Sequence, residues 1–587
     1  MGSAGFLLPE SKAPQYVPNS LEGSPVCHKS GTRRDDYLNK HFPIAADLAA
    51  EYRRVLTKQN AEAALSRLSE IDTLLTCGDL NLSSNNTELR EYADNLANQV
   101  RDAASSESHL LAFAKAKRLI EKHDIDTPDT ADLYSIINRA LDPIWWFRKF
   151  KHKRNTRLEQ IQRDLGAINK QKSLYCSRFN ASEKAFQDNL NKTILESRIL
   201  KNSHGQSYSV AELAAKTTAN PEIRRAELMV RLKGFEEVAD LRGDSADFIT
   251  LTTSSRMHAY LHNGKLNPEY DGTTPKQASN YLCNQWAKIR AELAKKRIQC
   301  YGFRVAEPHH DGTPHHHYLL FTPKSDREEL LNIFSRYAFQ DSPNEKGARK
   351  HRLKVESIDK NKGGATSYIA KYISKSIDGY GVGNDLHNLN SNDSSHQIRT
   401  WASTWRIRQF QQVGGPPVTV WRELRKLNEG FGFLTGNAWY AADSSNWAAF
   451  VLAMGGPTVK RKDLPIKPEY GFLDSVDTET GEEIRTRHNR YGEVIRPPVS
   501  GLRISHSNIV IPTKINRWHE SKSLMALEPV ERSSSSKEDG WSAGSSVYQS
   551  ISKQVFNLIR FGTSTSNEHS LQCAASGANA HAGLGLV

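Results

Sequence analysis

The chain has 587 residues and carries 79 Lys plus Arg against 66 Asp plus Glu, a formal charge of +13 that puts polyanions first among its expected partners. Hydrophobic residues make up 38% and charged residues 25%, enough to bury a sizeable core in roughly two to four domains. No apolar run approaches the ~20 residues of a spanning helix, the N-terminus does not read as a secretory signal, six scattered cysteines suit neither a disulfide framework nor a zinc ribbon, and no Walker-type phosphate loop occurs. A cytoplasmic chain with reduced thiols, no membrane contact and no ATP-driven motor is the expectation.

The charge is unevenly spread. Residues 1–146 hold 16 basic and 21 acidic residues and residues 517–587 hold 6 of each, so residues 147–516 carry 57 against 39, a net +18. In chain order, residues 1–40 read as a flexible lead rich in Pro, Gly and Ser, and residues 41–240 as a mostly helical region, with 3.6-residue apolar spacing in AALSRLSEIDTLL and PEIRRAELMVRLKGFEEVADLRG. Within it, WWFRKFKHKRNTR places Arg148, Lys149, Lys151, Lys153 and Arg154 together with no acid among them. They read either as a phosphate-contacting face or as a solvated charged face over a packed Trp145–Trp146 pair.

Between 241 and 380 the period changes to two. FITLTT (248–253), YGFRVAEPHH (301–310) and HHHYLLFTP (315–323) read as strands, a helix lies between the first two, and Asp311-Gly312 supplies a tight turn that makes strands two and three antiparallel neighbours. The β-α-β-β order predicts an α+β domain built on an antiparallel sheet. Residues 380–397 read as a polar loop within a basic Trp- and Arg-rich helical segment (381–440) that offers Arg399, Arg406 and Arg408 as further DNA contacts; 441–516 read as a small mixed β region and 517–587 as a low-complexity, partly disordered tail.

The densest chemical signal is EPHHDGTPHHH, five histidines and two carboxylates around the hairpin. Strand alternation sends His315 and His317 to one face and His316 to the other, and two imidazoles at i and i+2 can share one metal ion. Glu307 and His309 share a face of the preceding strand, so either can complete a three-ligand site; the alternative is a surface histidine cluster without an ion. Imidazole and carboxylate without thiolate suits Mg²⁺ or Mn²⁺ at a phosphate as well as Zn²⁺.

Some fifty residues on, KGGATSYIAKYISKSIDGYG reads as a helix that Thr366 or Ser367 can cap. Tyr368 and Tyr372 fall at i and i+4 on one face, with Lys371 and Lys375 in the same spacing, so Tyr-x-x-Lys occurs twice. A phenol with a pKa near 10 is a poor nucleophile at neutral pH unless a metal withdraws charge from the phosphodiester it attacks. Alone, the pair reads as ordinary aromatic packing; beside the histidine hairpin it reads as a pair of nucleophiles.

With both motifs in one chain, the sequence resembles the HUH endonucleases and, more closely, the replication gene A protein family of P2-like phages and prophages. DPIWWFRK, ANPEIRRAELMVRLKGFE, FITLTTSSRMHA, YGFRVAEPHHDGTPHHHYLLF, YIAKYISKSIDGYG and RTWASTWRIRQFQQVGGPPVTVWRELR follow the family's order. The resemblance implies an HUH nuclease domain at 241–380, metal ligands His315, His317 and Glu307 with His309 as runner-up, and Tyr368, Tyr372, Lys371 and Lys375 as catalytic residues. It departs from the pattern in having His316 where a hydrophobic residue is usual. It also implies strand-specific nicking of single-stranded DNA at a replication origin through a 5′-phosphotyrosine, with a divalent metal (Mg²⁺ or Mn²⁺) and with a host helicase and polymerase as partners. A hydrolytic metal-dependent nuclease and a non-catalytic basic DNA-binding protein are the rival readings.

Overall fold

The computed structural model describes residues 33–521 except 106–107, 130, 203, 360–362, 382–390, 429–434, 472–485, 508 and 515–517. The expectations for residues 1–32, for 522–587 and for 382–390 of the polar loop lie outside the described residues. The chain divides into two compact units, one up to Glu70 and one from Ile71 onward. In the first, Arg33–Lys40 is a helix where the composition reads as a flexible lead, followed by the helix Ala45–Lys58 with Leu48 and Val55 buried. No helix among the described residues is long and apolar enough to cross a membrane.

The second unit opens on helices, as the periodicity predicts: Asn86–Ala104, His109–Lys122, Leu133–Ala140 and then the long α1, Pro143–Asp164. Asp142 caps α1 by accepting from the Ile144 N–H (3.0 Å), and Pro143 stands in the first turn, where its missing N–H costs nothing. Trp145, Trp146, Phe150, Leu158 and Ile161 turn inward along one side of α1. Beyond the helices Arg178–Ser197 and Val210–Ala215, helix α2, Pro221–Arg242, starts at the cap Asn220 and stops at Gly243 in the left-handed conformation.

The center of the unit is a five-stranded antiparallel sheet. Its strands are β1 (Ser245–Thr252), β2 (Tyr301–Pro308), β3 (Pro314–Thr322), β4 (Leu353–Ser357) and β5 (Phe410–Val413), in the spatial order β4-β1-β3-β2-β5. Both faces of the central strands are covered, so β2 and β3 bury residues on either side. On β3, Leu319 and Phe321 pack with Leu232 and Phe235 of α2 and with Ile369 and Ile373 of α5 (Ala365–Ile377). Tyr318 and Leu320 point the other way, onto Leu282, Trp286 and Ile289 of α3 (Pro275–Lys295) and Leu330 and Phe334 of α4 (Arg327–Ala338). The α+β class and antiparallel pairing hold, with β3, the histidine strand, in the middle of the sheet.

Four local expectations need correction. The strand read as 301–310 ends at Pro308, so the loop to β3 runs from His309 to Thr313; within it the Gly312 N–H donates to the His309 carbonyl (2.9 Å), and Asp311-Gly312 lies in the tight turn as expected. Pro308 faces Pro314 across the ladder, and past this pair, where neither residue has an N–H to give, the loop is closed by the His309 N–H donating to the Thr313 carbonyl (2.7 Å). His309 therefore lies beyond the strand, not on its face. Residues 391–397, read as polar loop, begin the helix α6 (Ser391–Thr404), and QFQQV, read as helical, supplies strand β5. Finally, Trp518–Ser521, read as the start of the tail, forms a strand paired with Ile199–Asn202.

Candidate functional site

The pairing register assembles the site. Glu307 on β2 stands directly opposite His315 on β3, and His317 follows two residues along the same face, opposite Val305 on β2 and Thr250 on β1. The ligand atoms of Glu307, His315 and His317 all lie within 4.8 Å of one another, and His317 Nε2 is 3.6 Å from Glu307 Oε2. His315 Nδ1 and His317 Nε2 are buried with no hydrogen-bond partner among the described residues. Two buried imidazole lone pairs beside a carboxylate fit a divalent cation with N/O preference, and no thiolate is present. Burial, and then the neighboring His309 and His317, push the His315 imidazole well below its usual range, so it stays neutral as a ligand must.

The other ring nitrogen of His317 is also fixed: Nδ1 lies 3.0 Å from Thr250 Oγ1, which turns Nε2 toward Glu307. Glu307 accepts through Oε1 from the Ser376 hydroxyl (3.3 Å). His316 is on the opposite face of the sheet, its Nδ1 3.2 Å from the Tyr318 hydroxyl. His309 stands behind His315, ring centroids 4.1 Å apart, and is pushed down to about 3 by burial, with His258 adding to the effect. It supports the His315 ring and is absent from the three-residue ligand group.

The loop that carries these histidines is held from below. Gly312 adopts φ +80, and its carbonyl accepts from Trp401 Nε1 (2.7 Å) on α6. Arg163, at the end of α1 and 1% exposed, donates to Asp311 O (2.8 Å), Thr313 Oγ1 (2.7 Å), Met257 O and Thr273 O. Burial alone would raise the Asp311 carboxyl, but His258 and Arg163 hold it well below its usual range.

Helix α5 lays its tyrosines over this face. The Tyr372 ring is 4.1 Å from the His317 ring and stacks on Phe248 of β1 at 5.4 Å. Burial, and then the carboxylates of Glu307 and Glu356, raise the Tyr372 phenol. Tyr368 sits one turn back, 6.5 Å from Phe248. The two lysines separate: Lys371 is exposed, whereas Lys375 acts electrostatically on Tyr372 and His315 and has its ammonium 4.9 Å from the Tyr175 ring.

The cap of α5 differs from the expectation. Neither Thr366 nor Ser367 caps the helix; Glu236 of α2 reaches across, accepting from the Ala365 N–H (2.5 Å) and the Thr366 hydroxyl (2.8 Å). A Cβ on Gly364 would run into that carboxylate. Glu236 and Ser376 escape sequence reading because their partners lie 129 and 69 residues away.

The basic candidates are distributed unequally. Arg154 is 2% exposed and paired with Glu183 (2.6 Å), so it is not presented to a ligand. Lys151 lies 3.8 Å from Glu183 and donates to Gln187, Lys153 pairs with Asp124 (2.9 Å), and Lys149 donates to the Asp126 carbonyl. Arg148, Arg406 and Arg408 are exposed and Arg399 is half-buried.

The model of the bacteriophage replication gene A protein (GPA) family matches residues 60–380. Similar chains include the "Replication protein" of Haemophilus phage HP1, 37% identical over 71% of this chain and 54% of that one. The "Probable replication protein P12" of Pseudoalteromonas phage PM2 is 34% identical over 78% of this chain and 76% of its own length. A "Probable replication endonuclease from prophage-like region 2" of Salmonella typhi is 35% identical over 57% of this chain and 44% of that one. The chain thus spans about half the length of the HP1 and Salmonella proteins, and no solved structure matches it. By the family match and the extent of these similarities, the chain belongs to the bacteriophage replication gene A protein family.

Proposed function

We propose that the protein initiates phage DNA replication as a metal-dependent nicking endonuclease and strand transferase, an HUH nuclease acting through a 5′-phosphotyrosine. The observation that carries this reading is the Tyr372 ring 4.1 Å from that of His317, whose Nε2 faces Glu307. Glu307, His315 and His317 would hold Mg²⁺ or Mn²⁺, which when bound withdraws charge from the scissile phosphate. Thr250 and Ser376 orient two of these ligands. Helix α5, anchored by Glu236, carries the phenols to the phosphate, and Lys375 offsets developing negative charge. In the nicking step the tyrosine oxygen bonds to phosphorus and the P–O3′ bond breaks. The 3′ oxygen leaves as a hydroxyl, and the phenol's proton is released through solvent. The phosphotyrosine conserves the energy of the broken bond, so the second tyrosine can act in a later strand transfer without ATP.

Tyr372, which touches His317, is assigned the first cut, and Tyr368, one turn back, the later transfer. The relatives' names, replication protein and replication endonuclease, support an origin-directed role in the bacterial cytoplasm, with a host polymerase extending the 3′-OH and a host helicase opening the duplex. The test is to incubate the chain with Mn²⁺ and 5′- and 3′-labeled single strands from its own gene region. A covalent adduct on an SDS gel carrying the label downstream of the nick is expected, and it should vanish with EDTA. Nicking that leaves a free 5′-phosphate and no adduct would instead establish hydrolysis, and activity unaffected by EDTA would remove the metal.

A further inference from the structure

We propose that the cleft between α1 and the Trp405–Arg406 turn is a phosphodiester subsite that seats the backbone of the single DNA strand on its way to the histidine hairpin; the ligand's identity rests on the nicking reading. The cleft encloses about 320 Å³, with Lys149, His152, Lys153 and Arg157 on successive turns of α1 as one wall and Thr274 and Arg406 in the other. The Lys276 ammonium adds to that second wall, donating to the Arg406 carbonyl (3.2 Å). Five cations thus meet around two carboxylates, Asp124 and Asp126. Asp124 is taken by Lys153, while Lys149 donates to the Asp126 backbone carbonyl. Arg157 and Arg406 are exposed and, among the described residues, form no ion pair.

Two further features suit an anion. Arg406 ends α6 at φ +50, a position where glycine is the usual occupant, and the turn places its side chain in the cleft. His152 is pushed down to about 4 by burial and then by Arg406, Lys149 and Lys276, which marks a positive field that its own surroundings leave uncompensated. The cleft is also joined rigidly to the reaction site. Six residues beyond Arg157, about 9 Å along α1 at 1.5 Å per residue, Arg163 grips Thr273, next to the cleft residue Thr274, and Asp311 and Thr313 of the histidine loop. A strand lying in the cleft therefore emerges at the loop that leads into His315.

The experiment measures binding without chemistry: fluorescence anisotropy of a labeled single-stranded oligonucleotide with the full chain carrying Tyr368→Phe and Tyr372→Phe, no metal added, across a salt series. Adding Arg157→Gln and Arg406→Gln should weaken binding about tenfold at low salt and flatten the plot of log K against log salt by about 1.4, at ~0.7 per lost phosphate contact. Lys295→Gln, on an exposed position about 30 Å away at the other end of α3, should change neither. Unaltered affinity and slope in the double arginine variant, or an equal change from Lys295→Gln, would overturn the subsite. Failure of the unaltered chain to form an adduct with Mn²⁺ would overturn the nicking reading instead, because anisotropy judges the cleft without it.

Discussion

The histidine hairpin and the basic tract of α1 are the two densest clusters of like side chains in the sequence, and the fold uses them in opposite ways. In α1 most cations are consumed internally: Arg154 is buried against Glu183, Lys153 is paired with Asp124, and Arg163 is a buried strut under the hairpin. In the hairpin the polar atoms are left open, with His315 Nδ1 and His317 Nε2 buried and unpartnered beside Glu307. A buried polar atom without a partner costs free energy unless something else fills its coordination, whereas a buried arginine with four or five acceptors is already complete. Density in sequence therefore marks both regions, but only the state of the lone pairs and donors separates a site from a scaffold.

The sharpest way to break this contrast is at the nucleophiles. Tyr368→Phe with Tyr372→Phe should lower adduct formation by at least about 10⁴-fold, as expected when a covalent nucleophile is lost, with single-strand binding retained. Of the single variants, Tyr372→Phe should be the more damaging in the first nicking turnover, read from single-turnover gels. Equal effects of the two would remove the assignment of Tyr372 to the first cut. The next effect in size is at the residue behind the ligand. Thr250→Val keeps the shape of β1 but releases His317 Nδ1, and should raise the Mn²⁺ concentration needed for half-maximal adduct formation by about 10–100-fold. A change in melting temperature without that shift in metal requirement would make Thr250 merely structural.

How much of this was legible beforehand follows from the range of the interactions involved. Strands β1 to β3 and helix α5 show in the sequence because two- and 3.6-residue periodicities are local, and the facing of Glu307 and His315 follows from hairpin pairing. The Asp311-Gly312 turn is likewise a local signal, whereas the end of β2 two residues before His310 depends on Pro308 facing Pro314, a pairing visible only once the strands are set opposite each other. Only the first part of helix α6, residues 391–397, was hidden by its polar composition, since the inward side of the helix rests on a few residues such as Ile398 and Trp401. The Glu236 cap of α5 could not be read at all, because a carboxylate 129 residues away does the work usually done by a local hydroxyl.

Within α1 itself the contrast between scaffold and surface can be measured on one helix. Arg154→Met should destabilize the protein by about 2 kcal/mol, because it leaves the partly buried Glu183 without its closest partner. Arg148→Gln, three residues past Trp145 on the exposed side, should stay within about 0.5 kcal/mol. Urea unfolding of both variants makes the comparison. Similar losses would mean that the exposed cations of α1 are as structural as the buried one.

The smallest effect concerns His152, where the cations of the cleft bear on stability. Its imidazole is held to about 4 in the folded protein, below the unfolded value near 6.5, by burial first and then by Arg406, Lys149 and Lys276. A histidine depressed in this way contributes its full share of stability above pH 6.5, and the contribution is lost as the pH falls from there toward 4, because the unfolded chain takes up the proton first. For a side chain this far from fully buried, the loss between pH 7 and pH 5 should be about 1 kcal/mol, and His152→Gln should remove it from the pH dependence of urea midpoints. A saturating oligonucleotide, with no metal and both tyrosines replaced by phenylalanine, should shrink the same loss, since phosphates in the cleft would offset the three cations that repel the imidazolium. If the acid sensitivity persists unchanged in His152→Gln, the positive field at α1 does not bear on stability, and the cleft's charge has to be judged from binding alone.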